Sequence, residues 1–591
     1  MVPFFCRFIA LTLFASFIGL MATNVQAASG TWTNLTSGGL WSDANNWSGG
    51  VVADGSGFSA IFTNIDITTD NIVHMNGSHT LTALSFGDTS TNTASGWIVD
   101  NNGNQGNILT LAGAPTITVN ALGSGKTATI GTVIDGTAGI TFNGTGTLVL
   151  TNANTYSGTS TINGGGAVRI TRADSLGSSG IVWANSRGQL ELDGSGGSII
   201  FTKNLGSTSG YIIRNVAGTN TVTSGGSMYS GAGYTQIASD GGVLLLTGNF
   251  NVGQGGRKLQ LMGTSTDTNT FSGSCSGGVA DGLQKSGSGT WLLSGANTTT
   301  GDTLISGGTL VLANQNAAQN STVTMSGGKL VFSSGVTSFT FGGLASSAVA
   351  NRDIVLTNSA GAAVTLTVGG NDSTNSYAGV LSGKGSLTKN GAGILTLSTN
   401  NSYSGDTTVN AGTLNIGAAS AISNSVLNLQ GGALIFGSIT NATFGGLKGV
   451  QNMALSNSDG NAVALTVGGN GGNTTFSGIL SGGGSIIKNG TNTLTLSGVN
   501  TYTGNTMVNG GTLNIINACL CTTSSVYIAK DAKLALSFVG TATICSLYLN
   551  GEPQTPDTYG AGASCGAYFS GSGKLQVTNG PPARGTVLVI R

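Results

Sequence analysis

Paired carboxyl groups are the side chains in this sequence with the clearest capacity for chemistry, because two of them can act as general acid and general base. Glu191 and Asp193 are two residues apart, so in a strand they would project from the same face. Carboxyls about 5 to 10 Å apart in a cleft could cleave a glycosidic bond. A solvated strand face explains the pair more simply. We therefore assign no catalytic residue and keep Glu191 and Asp193 as candidates for an enzymatic alternative.

Aromatic side chains beside amides offer a second chemistry, the binding of sugar rings. Trp41 and Trp47 bracket two Asn residues, and Tyr156, Tyr403 and Tyr502 recur at one position of a repeated motif. Flat apolar rings next to amide groups could hold a glycan. The alternative is that the tyrosines stack at an interior corner and that the tryptophans form the core of a terminal cap. We expect glycan contact, if it occurs, at Trp41 and Trp47.

Four cysteines lie close together near the C-terminal end, and they could form disulfides. Cys519, Cys521, Cys545 and Cys565 allow two local bridges, whose connectivity the spacing leaves open. Cys275 is left over and is expected to be a small buried hydrophobic residue. No C-x-x-C pair with a neighbouring His is present, so we predict no metal and no other cofactor.

The composition narrows the class of protein that must position these residues. Of 591 residues, 100 are Gly and only 7% are charged, against about 25% in average proteins. The 21 basic and 21 acidic side chains cancel, so there is no electrostatic footprint for nucleic acid. Six Pro residues are too few for collagen or a Pro-rich disordered tract. The composition is typical of a turn-rich β protein.

The first residues have the pattern of an export signal. Residues 1–27 contain one early positive charge, an apolar run and a small-residue end, which together predict a secretory signal peptide. No later stretch approaches the roughly 20 apolar residues of a spanning helix, so we expect no transmembrane segment after cleavage.

A motif recurs four times after these residues, and its last three copies recur with a period of about a hundred residues. Each copy has a Gly-rich start, then a Leu-x-Leu stretch, an Asn-x-Tyr-x-Gly or related middle, and a Gly-rich end. The marker residues are Gly144, Asn154, Tyr156 and Gly158; Gly287, Asn297 and Gly301; Gly391, Asn401, Tyr403 and Gly405; and Gly490, Asn500, Tyr502 and Gly504. A fixed internal period indicates a repeat architecture.

The alternation of apolar and polar residues within each copy predicts short, half-buried strands. Because the strands are separated by turn residues and repeat in one dimension, we predict a parallel β-solenoid with about 20 to 25 residues per coil. The predicted units are an N-terminal Trp-containing cap with the first coils at 28–125, the solenoid at 126–516, and a Cys-containing cap and tail at 517–591. Caps are expected because open coil ends would associate.

The four copies resemble the autotransporter-associated β-strand repeat, also called the passenger-associated transport repeat. The Lys-Asn-Gly start, the Asn-x-Tyr-x-Gly middle and the Gly-Gly-Thr-Leu end carry the resemblance. It implies an all-β, right-handed parallel β-helix, a Gram-negative-type bacterial envelope and a passenger assembled outside the cell. The residues after the last copy are too few for the translocator barrel of such proteins, so we expect another export route or a periplasmic location.

These observations lead to one functional prediction with two alternatives. We expect a secreted or surface-exposed, nonenzymatic β-helix protein that is adhesin-like or structural and presents weak repeated contacts. Its expected partners are export machinery and a cell-surface or matrix polysaccharide, with no nucleic acid. The first alternative is an extracellular polysaccharide lyase or hydrolase on the same fold, since a fold does not determine a function. The second is a periplasmic or outer-membrane-associated scaffold.

Overall fold

The protein is an all-β parallel solenoid of about 21 turns. The computed structural model describes residues 26–93, 95–183, 188–205, 212–227, 234–253, 256–278, 281–347, 352–562 and 565–581. Most of the predicted signal peptide lies outside the described residues. Within them no α-helix occurs, and the only helical segments are the short 3₁₀ turns Ala44–Asn46, Ser48–Gly50 and Gly194–Gly196.

One continuous ladder of parallel strands follows the whole rod, and we call it the main ladder. Its strands are Gly39–Leu40, Asn71–His74, Trp97–Asp100, Thr127–Ile130, Thr147–Leu150, Ala167–Ile170, Gln189–Asp193, Ile212–Ala217, Tyr234–Ser239, Lys258–Met262, Gly282–Lys285, Thr303–Ile305, Ala318–Met325, Ser338–Ser346, Thr365–Val368, Ser386–Lys389, Thr407–Val409, Ile422–Leu429, Asn441–Gly449, Ala464–Val467, Ser485–Lys488, Thr506–Val508, Ser525–Ile528 and Ser546–Leu549.

Other parallel ladders form the remaining sides of the coils. In the N-terminal part they are Gly30–Thr31, Ser59–Phe62, His79–Phe86, Ile108–Val119, Val133–Asp135, Ile140–Gly144, Ser160–Ile162 and Ile181–Trp183. In the middle they are Ile200–Phe201, Asn220–Val222, Leu244–Leu246, Thr268–Phe271, Thr290–Leu293, Thr309–Leu312 and Lys329–Phe332, with the short ladder Gly226–Ser227, Phe250–Asn251 and Cys275–Ser276.

The C-terminal part continues in the same way. Its strands are Ile354–Val355 with Leu381–Ser382; Asn375–Tyr377, Ile394–Leu397, Thr413–Ile416 and Ala433–Phe436; Met453–Ala454 with Leu480–Ser481; Thr474–Phe476, Thr493–Leu496, Thr512–Ile515, Lys533–Leu536 and Phe569–Gly571; and Thr541–Ile544 with Lys574–Val577. Two strands, Glu552–Pro553 and Thr558–Tyr559, pair in the antiparallel direction.

The register of the ladders defines the coil. Thr407 pairs with Leu387 in the coil before it and with Leu427 in the coil after it, so one coil takes about 20 residues here. The sequence-based prediction of a parallel solenoid with coils of this length is confirmed. Its right-handedness stays a prediction.

The core is a stack of inward-facing apolar side chains. Leu395, Leu414 and Leu434 are register partners in three successive coils, and all three are buried. Strands such as Ile394–Leu397 alternate half-buried and buried residues, as a half-buried strand requires. Each fully buried Leu or Ile contributes about 1.5 to 3 kcal/mol.

Antiparallel pairs occur at both ends of the rod, and two isolated antiparallel bridges, Thr357 with Ala363 and Ser456 with Ala462, occur within it. Trp32 pairs with Trp47 at the N-terminal end, and Tyr548 pairs with Pro553 near the C-terminal end. Such pairs interrupt the parallel edge on which another chain could add a strand. The main ladder runs without a break across residues 125 and 517, and the predicted cap boundaries at those positions stay predictions.

Candidate functional site

The repeated Asn side chains join neighbouring coils. Asn401 Oδ1 accepts a hydrogen bond from the Leu381 amide at 2.8 Å, and Asn401 Nδ2 donates to the Ala421 carbonyl at 2.8 Å. These two backbone groups lie one coil before and one coil after the buried Asn. Asn154 and Asn297 make the same two bonds. Because a buried, unpaired backbone group is costly, this residue of the motif stabilises the rod.

The repeated Tyr side chains point into the interior. The Tyr403 hydroxyl lies 2.5 Å from Thr407 Oγ1, which in turn lies 2.7 Å from Ser425 Oγ in the next coil. Burial raises the pKa of Tyr403 to about 12. Tyr156 and Tyr502 are bonded in the same way to the residue four positions later. All three rings are buried, so they are not accessible to a sugar, and their stacking at a corner stays a prediction.

Three of the four motif copies have a Lys whose burial was not predicted from the sequence. Lys389 Nζ donates to the carbonyls of Asn390 at 2.6 Å, Gly391 at 2.8 Å and Ala411 at 3.3 Å. Lys285 and Lys488 are held by the corresponding carbonyls. The signal was present in the Lys-x-Gly spacing, because a Gly with positive φ can turn its carbonyl towards the interior.

The geometry of Gly391 shows this coupling. Its φ is 68°, a conformation that L-residues with a side chain rarely adopt, and its carbonyl receives the ammonium group. Burial lowers the pKa of Lys285 and of Lys488 to about 8. In the first motif copy, Phe142 stands where the others have Lys, and a small cavity lies beside it.

The candidate acid and base each have a structural partner. Glu191 is buried, and Arg169 donates to Glu191 Oε2 from Nε and Nη2, both at 2.8 Å. Asp193 Oδ1 accepts from the Ser195 hydroxyl at 2.7 Å and caps the turn Gly194–Gly196. The two side chains are therefore engaged separately, and the enzymatic alternative gains no support from them.

The two tryptophans considered for glycan contact lie in the core. Trp41 is 0% exposed and Trp47 is 2% exposed, with ring centroids 5.2 Å apart. Their indole N–H groups donate to the carbonyls of Ala53 at 3.0 Å and Trp41 at 2.6 Å. Neither ring is accessible to a ligand, so the terminal core interpretation fits and the glycan interpretation does not.

No disulfide joins Cys519, Cys521 and Cys545 to one another. Cys519, Cys521 and Cys545 carry free thiols, so the predicted disulfides, which would also involve Cys565, are not confirmed and stay predictions. Cys275 is fully buried, and burial raises the pKa of its thiol to about 12.

Neither a metal cluster nor a spanning helix is found in the described ranges. No group of three or more His, Cys, Asp or Glu side chains there has the proximity to hold a metal ion. Over the same ranges, no helix combines the length and the apolar character needed to cross a membrane.

The outward positions of the main ladder differ between motif copies, although the inward positions agree. Gln284, Thr388 and Ile487 occupy the same place in the second, third and fourth copies, each followed by the buried Lys. All three are half-buried residues on the outer surface. The surface that a partner would meet therefore consists of positions that vary between the motif copies.

A known repeat family matches all four copies of the motif. The passenger-associated-transport-repeat family matches residues 140–166, 283–312, 387–416 and 486–515. The chain is also similar to the adhesin BmaC autotransporter of Brucella suis biovar 1 (strain 1330), with 33% identity over 295 residues. This match covers 48% of the chain but only 8% of that relative. No solved structure matches. The chain is a β-solenoid that carries four passenger-associated-transport repeats.

Proposed function

We propose that this protein is a nonenzymatic, adhesin-like rod, secreted or exposed on the surface of a Gram-negative-type bacterium. The observation that carries the proposal is the direction of the motif side chains. The repeated Asn, Tyr and Lys residues bond inside the rod, as Asn401, Tyr403 and Lys389 illustrate. The motif therefore builds a scaffold, and recognition is left to the outward side chains.

The similarity to an autotransporter adhesin supports the location and the role. Because the chain spans only a small fraction of that relative, adhesion, export by dedicated machinery and surface exposure belong to the proposal. The near-zero net charge and the scarcity of charged residues favour a neutral partner such as a polysaccharide over an acidic one.

The mechanism would be multivalent presentation. About 21 coils at about 4.8 Å each give a rod about 100 Å long. Weak contacts fixed along such a rod add up by effective concentration, since the second contact forms within an already bound complex.

A combined binding and cleavage assay tests this function. The purified protein is incubated with soluble neutral and acidic polysaccharides and run on a sizing column. In parallel, the adhesion of cells coated with these polymers to the protein is measured. We expect intact polymer that carries protein with it, and adhesion by the coated cells. Shortened polymer would instead establish an enzyme, and the absence of both binding and adhesion would leave a structural scaffold.

A further inference from the structure

The last coils carry an apolar stripe on their outer surface. Ile487, Met507, Tyr527 and Tyr548 are successive register partners in the main ladder, and each is half-buried on the outward face. The rings of Tyr527 and Tyr548 stack with centroids 4.5 Å apart and an interplanar angle of 8°. Pro553 is the next register partner of Tyr548. We call these four ladder residues the outer stripe.

Amides and hydroxyls border the outer stripe on both sides. On one side, Ser485 Oγ accepts from the backbone N–H of Asn505 at 3.0 Å. The side-chain Asn505 Oδ1 accepts from the backbone N–H of Ser525 at 3.0 Å. On the other side, Asn509 Nδ2 donates to Asn489 Oδ1 at 3.0 Å. The structure describes all residues of the four strands that carry the stripe. None of the outward positions of these strands has a charged side chain.

From this arrangement we infer that the outer stripe binds a neutral polysaccharide chain laid along the rod axis. Apolar and aromatic side chains suit the C–H faces of sugar rings, and the flanking amides and hydroxyls suit sugar hydroxyls. This combination is the one the sequence suggested for Trp41 and Trp47, but it occurs on the outer surface instead. The inference rests on the proposed adhesin-like function and names its ligand class and contact site.

The size of the surface argues for a glycan rather than a protein partner. At about 4.8 Å per coil and about 7 Å between alternate residues of a strand, the stripe and its borders measure about 14 by 14 Å. That is about 200 Å², whereas a stable protein interface needs about 800 Å² on each partner. A second copy of this chain would therefore be held too weakly by the stripe alone.

The preceding period supplies a matched comparison at the same positions. Thr388, Thr408 and Asn428 are successive register partners, also half-buried and outward, in the place of Ile487, Met507 and Tyr527. The same fold therefore accepts a hydroxyl and amide column at this place. The apolar stripe is not required by the solenoid.

The test replaces three residues of the outer stripe by the residues at the same positions of the preceding period. The full chain with Ile487→Thr, Met507→Thr and Tyr527→Asn is compared with the unchanged protein for affinity to soluble neutral glucan and mannan. Pectate and alginate serve as acidic comparisons. We expect at least a 10-fold loss of affinity for a neutral glycan, with unchanged melting temperature and protease resistance. The control variant Thr388→Ala, Thr408→Ala and Asn428→Ala should bind as the unchanged protein does.

The reciprocal graft keeps the inference testable if the first variant fails to fold. Thr388→Ile, Thr408→Met and Asn428→Tyr should increase affinity for the same neutral glycan. The inference is wrong if the unchanged protein binds neutral glycan and the stripe variant binds equally well, a result that leaves adhesion intact. It is also wrong if the protein adheres to cells without binding any glycan, or if the stripe variant converts a dimer into a monomer. If the unchanged protein shows neither glycan binding nor adhesion, both proposals are wrong.

Discussion

The parts of the solenoid that begin with the third and fourth motif copies, which we call the third and fourth periods, have nearly the same interior and different outer surfaces. Both have a buried Lys in a ring of carbonyls, a buried Asn that accepts a hydrogen bond from the backbone of the coil before it, and a buried Tyr. Their outward columns differ, with Thr388, Thr408 and Asn428 in one and the outer stripe in the other.

This difference shows how a duplicated coil can change its contacts without changing its fold. Interior side chains must satisfy backbone groups about 20 residues away in both directions, as the bonds of Asn401 illustrate, so they are constrained. Outward side chains contact side chains of neighbouring coils and the solvent, as Gln284 does with Ser306, and their residue types differ between the copies. Under the proposed function, stability and recognition therefore depend on separate sets of residues.

The largest effect is expected from placing a charge in the shared interior. Leu397→Asp should destabilise its coil by more than about 4 kcal/mol, because an unpaired carboxylate would be buried. Leu496→Asp, one period later, should cost the same. Limited proteolysis followed by mass spectrometry would locate the opened coils. Thr396→Asp, on the outward face, is the control and should change stability by less than about 0.5 kcal/mol.

Removal of the buried Asn should lower the free energy of unfolding more in the third motif copy than in the fourth. Asn401→Ala leaves the Leu381 amide and the Ala421 carbonyl unpaired, so a loss of about 2 to 4 kcal/mol is expected. Asn500→Ala should cost less, because Asn500 Nδ2 donates to Gly498 within its own coil and lies 3.8 Å from Cys519 Sγ. Denaturant titration of the two variants measures the difference. Equal losses would contradict this ranking.

The buried lysines should make stability depend on alkaline pH. The folded pKa of Lys488 is about 8 and its ordinary value is 10.5, so between these values the unfolded chain binds more protons. Stability should therefore rise with pH in this window, by at most about 1.4 kcal/mol per pH unit for each such Lys, and this contribution should be independent of pH below about 8.

A pair of Met variants isolates this slope in each period. Lys488→Met should remove more of the pH dependence than Lys389→Met, because Asp372 raises the pKa of Lys389 and partly offsets the effect of burial. Melting temperatures from pH 7.5 to 9.5 measure both slopes. Work above about pH 10 is avoided, since the raised pKa of buried Tyr403 gives a slope of the opposite sign there. The same slope in both variants would show that Asp372 has no influence.

The smallest effect on stability is expected from exchange of the outer columns. Thr388→Ile, Thr408→Met and Asn428→Tyr should together change the free energy of unfolding by less than about 1 kcal/mol, because all three positions lie on the outward face. Thermal unfolding checks this. A large loss would mean that the outer column contributes to the fold and that the two sets of residues are not separate.

The fold could be predicted from the sequence because its signals are local and repeated. The Leu-x-Leu alternation and the coil length follow from the spacing of side chains along one strand, and both are confirmed by strands such as Ile394–Leu397. The turns between coils are marked by Gly, and Gly391 indeed adopts a positive φ.

The site residues could not be predicted in the same way, because their surroundings come from other coils. The ion pair of Glu191 depends on its register partner Arg169, which lies one coil earlier and about 20 residues away in the sequence. The burial of Trp41 and Trp47 depends on their packing against each other, which the sequence does not show. The outer stripe appears only when Ile487 and Tyr527 are aligned by the ladder.

The Asn bridges also determine how the rod would respond to tension. Each of them bonds only adjacent coils, as in Asn401 with Leu381 and Ala421, so a pull on the two termini would load the coils in series. Coils would detach one at a time from an end, and each would release about 20 residues, or about 70 Å of extended chain. Under the proposed adhesin-like function, a tethered cell would move several coil lengths from its anchor while most of the rod stayed folded, which would limit the force on any single bond.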